Sequence, residues 1–325
     1  MSGITALGTT YNLPNYTGVL HQLTPSDTPF FSAIGGLTGG GQTSSIEFEW
    51  QTFDLRSAGQ NTALEGADAP SDAERVRANV SNIVQIHQET VGVSYTKLAA
   101  VQAKSGINNA DSNPVLNELD WQVEQMLKQM VRDVEFSFIQ GTYQKPADNT
   151  TARKTRGLLA AISTNVIAAP DGDTGTAGTQ ASVLSEDLVL DLLQMVWDNG
   201  GIQESDTATL LVNSFQKRML SKIFITDKNY QESTRNVGGV RVQTIETDFG
   251  TLNIMLDRHM PAGQLAVVSL EQCMPVFQEI PGKGHFFAEP LANTGAKERV
   301  MLYGEVGLAY GNEKAHGKLT NLTTV

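Results

Sequence analysis

The sequence predicts an α+β protein, and three observations predict it. One long amphipathic helix fits residues 113–141. Two segments with a period of two, around 45–53 and 76–95, fit a long β-ribbon. Across 183–277, two capped helices precede a run of short alternating segments, which reads as helices on a mostly antiparallel sheet. At 325 residues, the chain has room for about two domains.

Taken in order, residues 1–42 carry Pro14, Pro25 and Pro29, with glycines at 35, 36, 39, 40 and 41. Helix and sheet interiors do not tolerate that punctuation, so the stretch reads as an extended arm ending in a flexible joint. Tyr11, Leu13, Tyr16, Val19, Leu20, Leu23, Phe30, Phe31 and Ile34 make it too apolar for a solvated tail. It must lie on its own body or on a neighbour. Next, Ile46, Phe48 and Trp50 alternate with Glu47, Glu49 and Gln51, a strand with one buried face. A return strand fits Val76 to Tyr95, and a change of parity within it suggests a bulge or bend. Between the two lies an acidic, Ala/Gly-rich tip, Asp54 to Asp72. Each arm of the ribbon could reach ~30 Å. A two-stranded ribbon is marginal alone in water, so its apolar face needs cover from other surface.

A short helix, Thr96 to Lys104, leads through Gly106-Ile-Asn-Asn to the long one. There Asn113 can cap and Pro114 fits the first helical position, while Gly141 supplies a left-handed stop. Leu116, Leu119, Val123, Met126, Leu127, Met130, Val134 and Phe138 recur at three- and four-residue steps, one buried face of a spine roughly 40 Å long. Glu118, Gln122, Glu124, Gln125, Lys128, Gln129, Arg132 and Glu135 occupy the opposite arc. Trp121 and Phe136 fall on that polar side. They are either half-covered by a local loop or seats for another subunit.

After Gly141 the chain is rich in Thr, Asn, Ala, Gly and Asp, with a basic knot at Arg153, Lys154 and Arg156 and an apolar interlude from Leu158 to Ile167. Asp171 to Thr179 is a Gly/Thr loop. Ser185 then caps a helix whose face is Leu188, Val189, Leu192, Leu193, Val196 and Trp197, and Asn199-Gly200-Gly201 ends it. Leu210 to Val212 reads as a buried strand, and Asn213 or Ser214 caps a second helix, Phe215 to Phe224. Val240–Ile245, Leu252–Leu256 and Leu265–Val268 form a meander. Beyond it, His285–Phe287 and Val300–Tyr310 read as strands, the second interrupted by Gly304 and Gly307, and the tail from Asn312 is polar.

Composition narrows the function. With 23 Lys and Arg against 35 Asp and Glu, the net charge is −12. No basic run appears, which argues against a nucleic-acid-binding face. A single cysteine, Cys273, excludes an internal disulfide framework and reads as a buried inert thiol. The N-terminus has no basic n-region or apolar h-region, so no signal peptide is expected, and no apolar run approaches a membrane span. The expectation is an aqueous, reducing compartment.

No motif supports chemistry. Asp248-Phe249-Gly250 matches the kinase magnesium triplet but lacks its companion loops, and fits a hairpin turn. Gly35 to Gly41 and Gly282-Lys283-Gly284 lack the strand–helix context of phosphate loops. The histidines at 21, 87, 259, 285 and 316 show no metal-ligand spacing. Ser214 is better explained by capping than as a nucleophile, and Glu186-Asp187 by compensation of a helix dipole. No catalytic residue, cofactor or metal is expected.

An apolar arm, a long ribbon, a spine helix, an α+β domain and a return to the spine-bearing body together resemble the major capsid proteins of tailed bacteriophages. These share the Hong Kong 97-type fold with encapsulin shells. Tyr11-Asn-Leu-Pro-Asn-Tyr16, Leu23-Thr-Pro-Ser-Asp-Thr-Pro-Phe30, Glu246-Thr-Asp-Phe-Gly-Thr-Leu252 and Leu256-Asp-Arg-His-Met-Pro261 look like a phage capsid family. The resemblance covers essentially the whole chain. It implies an N-terminal arm at 1–42, an E-loop at 43–95 and a peripheral domain at 96–182 and 278–325 containing the 113–141 spine. The axial domain is 183–277.

The function so implied is a structural, non-enzymatic shell subunit. Pentamers and hexamers close into an icosahedral head around double-stranded phage DNA, without sequence-specific DNA binding. Candidate inter-subunit contacts are Phe30, Phe31, Ile46, Phe48, Trp50, Trp121 and Phe136. The first lysine is Lys97, so the E-loop has none and no isopeptide cross-link is expected. The arm is too short for a built-in scaffolding domain. A separate scaffold or none is expected, with portal and cementing or decoration proteins as further partners and no membrane. The implied location is the virion, assembled in the host cytoplasm. Alternatives are an encapsulin-like compartment, whose cargo groove the sequence does not locate, and a soluble hydrolase with a site in 183–277, which no constellation supports.

Overall fold

The computed structural model describes residues 27–56, 58–69, 71–72, 74–99, 117–170, 182–202, 208–226 and 244–324. The arm before residue 27, the Asn113 cap with Pro114, the Gly106 turn and the 171–179 loop lie outside them. In chain order the elements are α1 (Pro29–Ala33), β1 (Gly41–Thr43), β2 (Glu47–Phe53), β3 (Arg77–Ile83), β4 (Gln85–Ser94), α2 (Tyr95–Ala99) and α3 (Glu118–Gln140). There follow α4 (Leu158–Ala161), β5 (Val166–Ala168), α5 (Glu186–Asp198), β6 (Ala208–Val212), α6 (Ser214–Thr226), β7 (Thr244–Thr247), β8 (Gly250–Leu256) and β9 (Leu265–Val268). The last are β10 (Met274–Gln278), β11 (Phe286–Leu291), β12 (Lys297–Ala309) and β13 (Gly317–Thr320). The α+β class is what the sequence predicts.

By contacts the chain divides into two units, residues 1–27, 88–132 and 286–303, and residues 28–87, 133–285 and 304–325. Helix α3 and strands β4 and β12 contribute residues to both. In the first unit, Met126, Met130 and Leu302 form a small core, with Val91, Val123, Leu127 and Phe286 packed against it. The apolar face read along the spine thus buries its middle residues as the periodicity requires.

The second unit holds a six-stranded sheet ordered β5-β13-β9-β6-β8-β7. Val189, Leu192, Leu193 and Val196 of α5 pack with Leu210, Val212, Leu265, Val267 and Leu319 in its core. The Ser185 side chain accepts the Leu188 N–H at 3.3 Å, and Gly200 ends α5 at φ 80°. Asn213 caps α6, accepting the Phe215 N–H at 3.3 Å. Three of the five pairings are antiparallel, as the mostly antiparallel expectation has it, and two make the sheet mixed, because β6 pairs β8 and β5 pairs β13 in parallel. The residues between β6 and β8 include α6, the crossover a parallel pair requires. The tail from Asn312, read as a polar return to the spine-bearing domain, instead supplies β13, with Leu319 and Leu322 buried.

Other expectations are corrected. Residues 28–43 are no extended joint: they form α1, and β1 pairs β10 in parallel. In the described residues the spine starts at Glu118, where Asn117 accepts the N–H groups of Leu119 and Asp120 at 3.1 and 3.4 Å. Gly141 is not left-handed. A methyl there would lie 2.2 Å from the Ser137 carbonyl oxygen and 2.8 Å from that of Thr155, so the constraint is space. Glu135, assigned to the polar arc, is 0% exposed, and Trp197, assigned to a buried face, is 48% exposed. Gly304 and Gly307 do not interrupt β12.

Candidate assembly surface

The ribbon is β2 paired antiparallel with β3, from Glu47 opposite Ile83 to Phe53 opposite Arg77. The bend expected in the return strand falls at Val84, between β3 and β4, where the Val84 N–H bonds the Ile46 carbonyl at 2.9 Å. The root of the ribbon is fixed to its own unit. Trp50 donates its indole N–H to the Gly311 carbonyl at 2.7 Å and stands edge-on to Tyr310 at 4.9 Å. Phe48 stacks on Trp50 at 5.9 Å. Gly307 makes room for that ring, since a methyl would lie 2.6 Å from it.

Polar contacts complete the root. Asn82, fully buried, donates to the carbonyls of Leu308 and Arg156 at 2.7 and 3.1 Å, and its oxygen accepts the N–H groups of Ile83 and Arg156, each at 2.9 Å. Every polar atom of that side chain is therefore satisfied. Glu47 pairs with Lys145, whose ammonium holds the carboxyl below its ordinary value. Arg153 pairs with Glu305, and Lys314 with Asp54 at 2.9 Å.

Toward its far end the ribbon is bare. Phe53 is 62% exposed, Leu55 75%, Leu64 84% and Val76 82%. Phe53 at the end of β2 and three large apolar side chains in the connection that follows are the uncovered surface the period-two argument anticipates, although at different residues. Phe48 and Trp50, expected as inter-subunit contacts, are half-buried on their own chain, Trp50 on Tyr310 and Gly311 and Phe48 on Trp50 beside Gly307. Phe30 and Phe31 are 0% and 1% exposed, with Phe31 edge-on to Phe138 at 5.7 Å, so neither is an inter-subunit contact in this conformation. Ile46 is half exposed, and Phe136 is 49% exposed with its ring edge-on to His259. Trp121 is half-buried. Sequence reading does not single out the end residues as contacts, because Phe53 sits on the opposite parity of β2, Leu55 and Leu64 lie in the acidic tip, and Val76 reads as the start of the return strand's apolar face.

Among the described residues, no three His, Cys, Asp or Glu side chains group as metal ligands, and no helix is long and apolar enough to cross a membrane. The Asp248-Phe249 dipeptide turns between β7 and β8, with Gly250 at φ 123°. Burial pushes the Cys273 thiol up to about 12, which makes it inert at neutral pH.

A family model described as SU10 major capsid protein matches residues 3–323. No curated protein matches. Among solved structures, the cyanophage A-1(L) capsid is similar at TM-score 0.67 and 12% identity, covering 98% of this chain and 100% of that one. The capsid of a native GTA particle is similar at 0.62 and 15% identity, covering 99% of each chain. The holo-SrpI encapsulin complex of Synechococcus elongatus is similar at 0.58 and 13%, covering 96% and 93%. The fold is thus the Hong Kong 97-type capsid fold.

Proposed function

Since this chain belongs to the SU10 major capsid protein family, we propose that many copies of it close, as pentamers and hexamers, into an icosahedral head around a double-stranded DNA genome. The observation that carries this is a family match over nearly the whole chain. The ribbon supports it physically, being pinned at its root and apolar toward its far end, where no other described residue covers it. Its bare end finds cover on a sister copy, as do Ile46, Trp121 and Phe136. The arm, E-loop, peripheral and axial regions keep the boundaries 1–42, 43–95, 96–182 with 278–325, and 183–277, except that β5 and β13 complete the axial sheet. The subunit is structural and catalyses nothing. The net charge of −12 suits a wall that must not hold packaged DNA tightly. Assembly proceeds in the host cytoplasm with separate scaffolding and portal proteins and, in place of a covalent cross-link, a cementing protein.

Electron microscopy of the purified full-length protein tests this reading. Uniform closed shells are expected, with genomic DNA in native particles. A monomer that persists at high concentration overturns shell formation, and enzyme cargo in place of DNA overturns the head assignment. Deleting residues 54–72 should abolish or weaken the shells. Particles of unchanged stability after that deletion would remove the ribbon from the assembly mechanism.

A further inference from the structure

Helix α1 begins without a cap of its own: Thr28 makes no side-chain bond to the first turn. Two of its orphan donors are met from far along the chain. The Phe30 N–H bonds one oxygen of Glu135 at 2.9 Å and the Phe31 N–H bonds the other at 2.6 Å. Glu135 is fully buried on α3, and beside it, within hydrogen-bond reach, is the carboxyl of Asp257, also fully buried at the end of β8. One Asp257 oxygen accepts the His259 N–H at 2.7 Å. The other is buried and has no donor.

Two neighbouring carboxyls buried from water resist both being charged, and a proton on Glu135 would supply the donor that the orphaned Asp257 oxygen lacks. Of the charged groups near the pair on these segments, Arg132, one turn before Glu135, is half-buried, Asp133 and Arg258 are exposed, and His259 is half-buried against Phe136. What acts on Glu135 is burial and the Asp257 carboxyl, opposed by the Phe30 and Phe31 N–H groups. We propose that Glu135, seated beside Asp257, is a proton-held latch: carrying its proton it fastens residues 28–34 to the spine, and loss of that proton releases α1 and uncovers Phe30 and Phe31. This goes beyond the shell reading and does not rest on it.

Burial first, then the neighbouring Asp257 carboxyl, pushes Glu135 up to about 9. The closed latch therefore keeps a proton that the open one gives up once the pH exceeds the ordinary carboxyl value. Closure is complete below that value and weakens as pH rises through the raised one. Opening should grow roughly tenfold per pH unit across that window and level off above it.

Amide hydrogen exchange on the full-length protein from pH 6 to 9, expressed as protection factors, reads this directly. The Phe30 and Phe31 amides should lose protection roughly tenfold per unit while the core amides of α5 hold theirs. Asp257→Asn replaces the neighbouring carboxyl with an amide that is a permanent N–H donor toward Glu135, so its protection should be high and flat with pH. A flat profile in the parent, a loss shared equally by α5, or an Asp257→Asn profile as steep as the parent's overturns the latch. If that variant does not fold, the parent titration decides alone, because only a loss confined to 28–34 fits.

Discussion

At the scale of single residues, the ribbon root turns on one missing side chain and one indole. Gly307 has no conformational need to be glycine, but a methyl there would meet the Phe48 ring at 2.6 Å and the Ile83 carbonyl oxygen at 2.8 Å. Gly307→Ala must shift the stacked Phe48–Trp50 pair or the strand beneath it, and should cost about 1–3 kcal/mol. The check is a lower denaturant midpoint with an unchanged slope. Trp50→Phe keeps an aromatic ring against Tyr310 but removes the donor to Gly311, for a loss of roughly 1 kcal/mol. Unchanged midpoints in both variants would mean the root is not held here. Gly307 stood out in the sequence only as a strand breaker, because spacing reveals a break in side-chain pattern and not the ring that fills it. Glu135 was misread for a related reason. One position past Val134, it lies at the edge of the helix's apolar stripe, and only the arrival of α1 from a distant part of the chain decides that this edge is buried.

At the scale of elements, local signals sufficed where an element's own residues determine it. Helix α5 carries its cap at Ser185, its stripe and its glycine stop within one stretch, and β2 carries its alternation. The parallel pairing of β5 with β13 joins residues more than a hundred positions apart and leaves no local trace. Helix α1, set among prolines and glycines, is held by a distant carboxylate and not by propensity. The ribbon falls between these cases: its strands were legible, but which face its own chain covers was not. The triple substitution Phe53→Ser, Leu55→Ser and Val76→Ser probes this. All three side chains are well exposed, so subunit stability should change by no more than about 0.5 kcal/mol per site. Shell formation, followed by sedimentation, should fail or need markedly higher protein concentration. Normal shells from this variant would show that the bare end is not a subunit contact.

At the scale of the whole molecule, buried histidines set the acid limit of stability. His316 is fully buried, its Nδ1 accepting the Ser269 N–H at 3.2 Å while its Nε2–H donates to the Tyr310 carbonyl at 2.7 Å. A second proton on that ring would break the first bond, and burial holds its affinity for one below the ordinary value. Burial likewise lowers His87 to about 4, and its Nε2 has no partner. Both rings take up protons more readily when unfolded. Stability is therefore complete above the ordinary histidine value and lost as pH falls through the folded one. For His87 the shift from 6.5 to about 4 corresponds to roughly 3 kcal/mol. Acid also relieves the self-repulsion of a chain at −12, which opposes the loss, but that charge is spread over the surface and screened by salt. Carboxylates such as Glu47, held low by Lys145, give way only below their own ordinary value near 4.5. The two causes therefore separate along the pH axis. In the Asp257→Asn subunit, where the Glu135 latch is flat with pH, the denaturant midpoint of the dissociated full-length chain should begin to fall just below pH 6.5, before the carboxylates held low by ion pairs give way. A midpoint that stays level down to pH 5 and drops only afterwards would assign acid lability to the surface ion pairs instead.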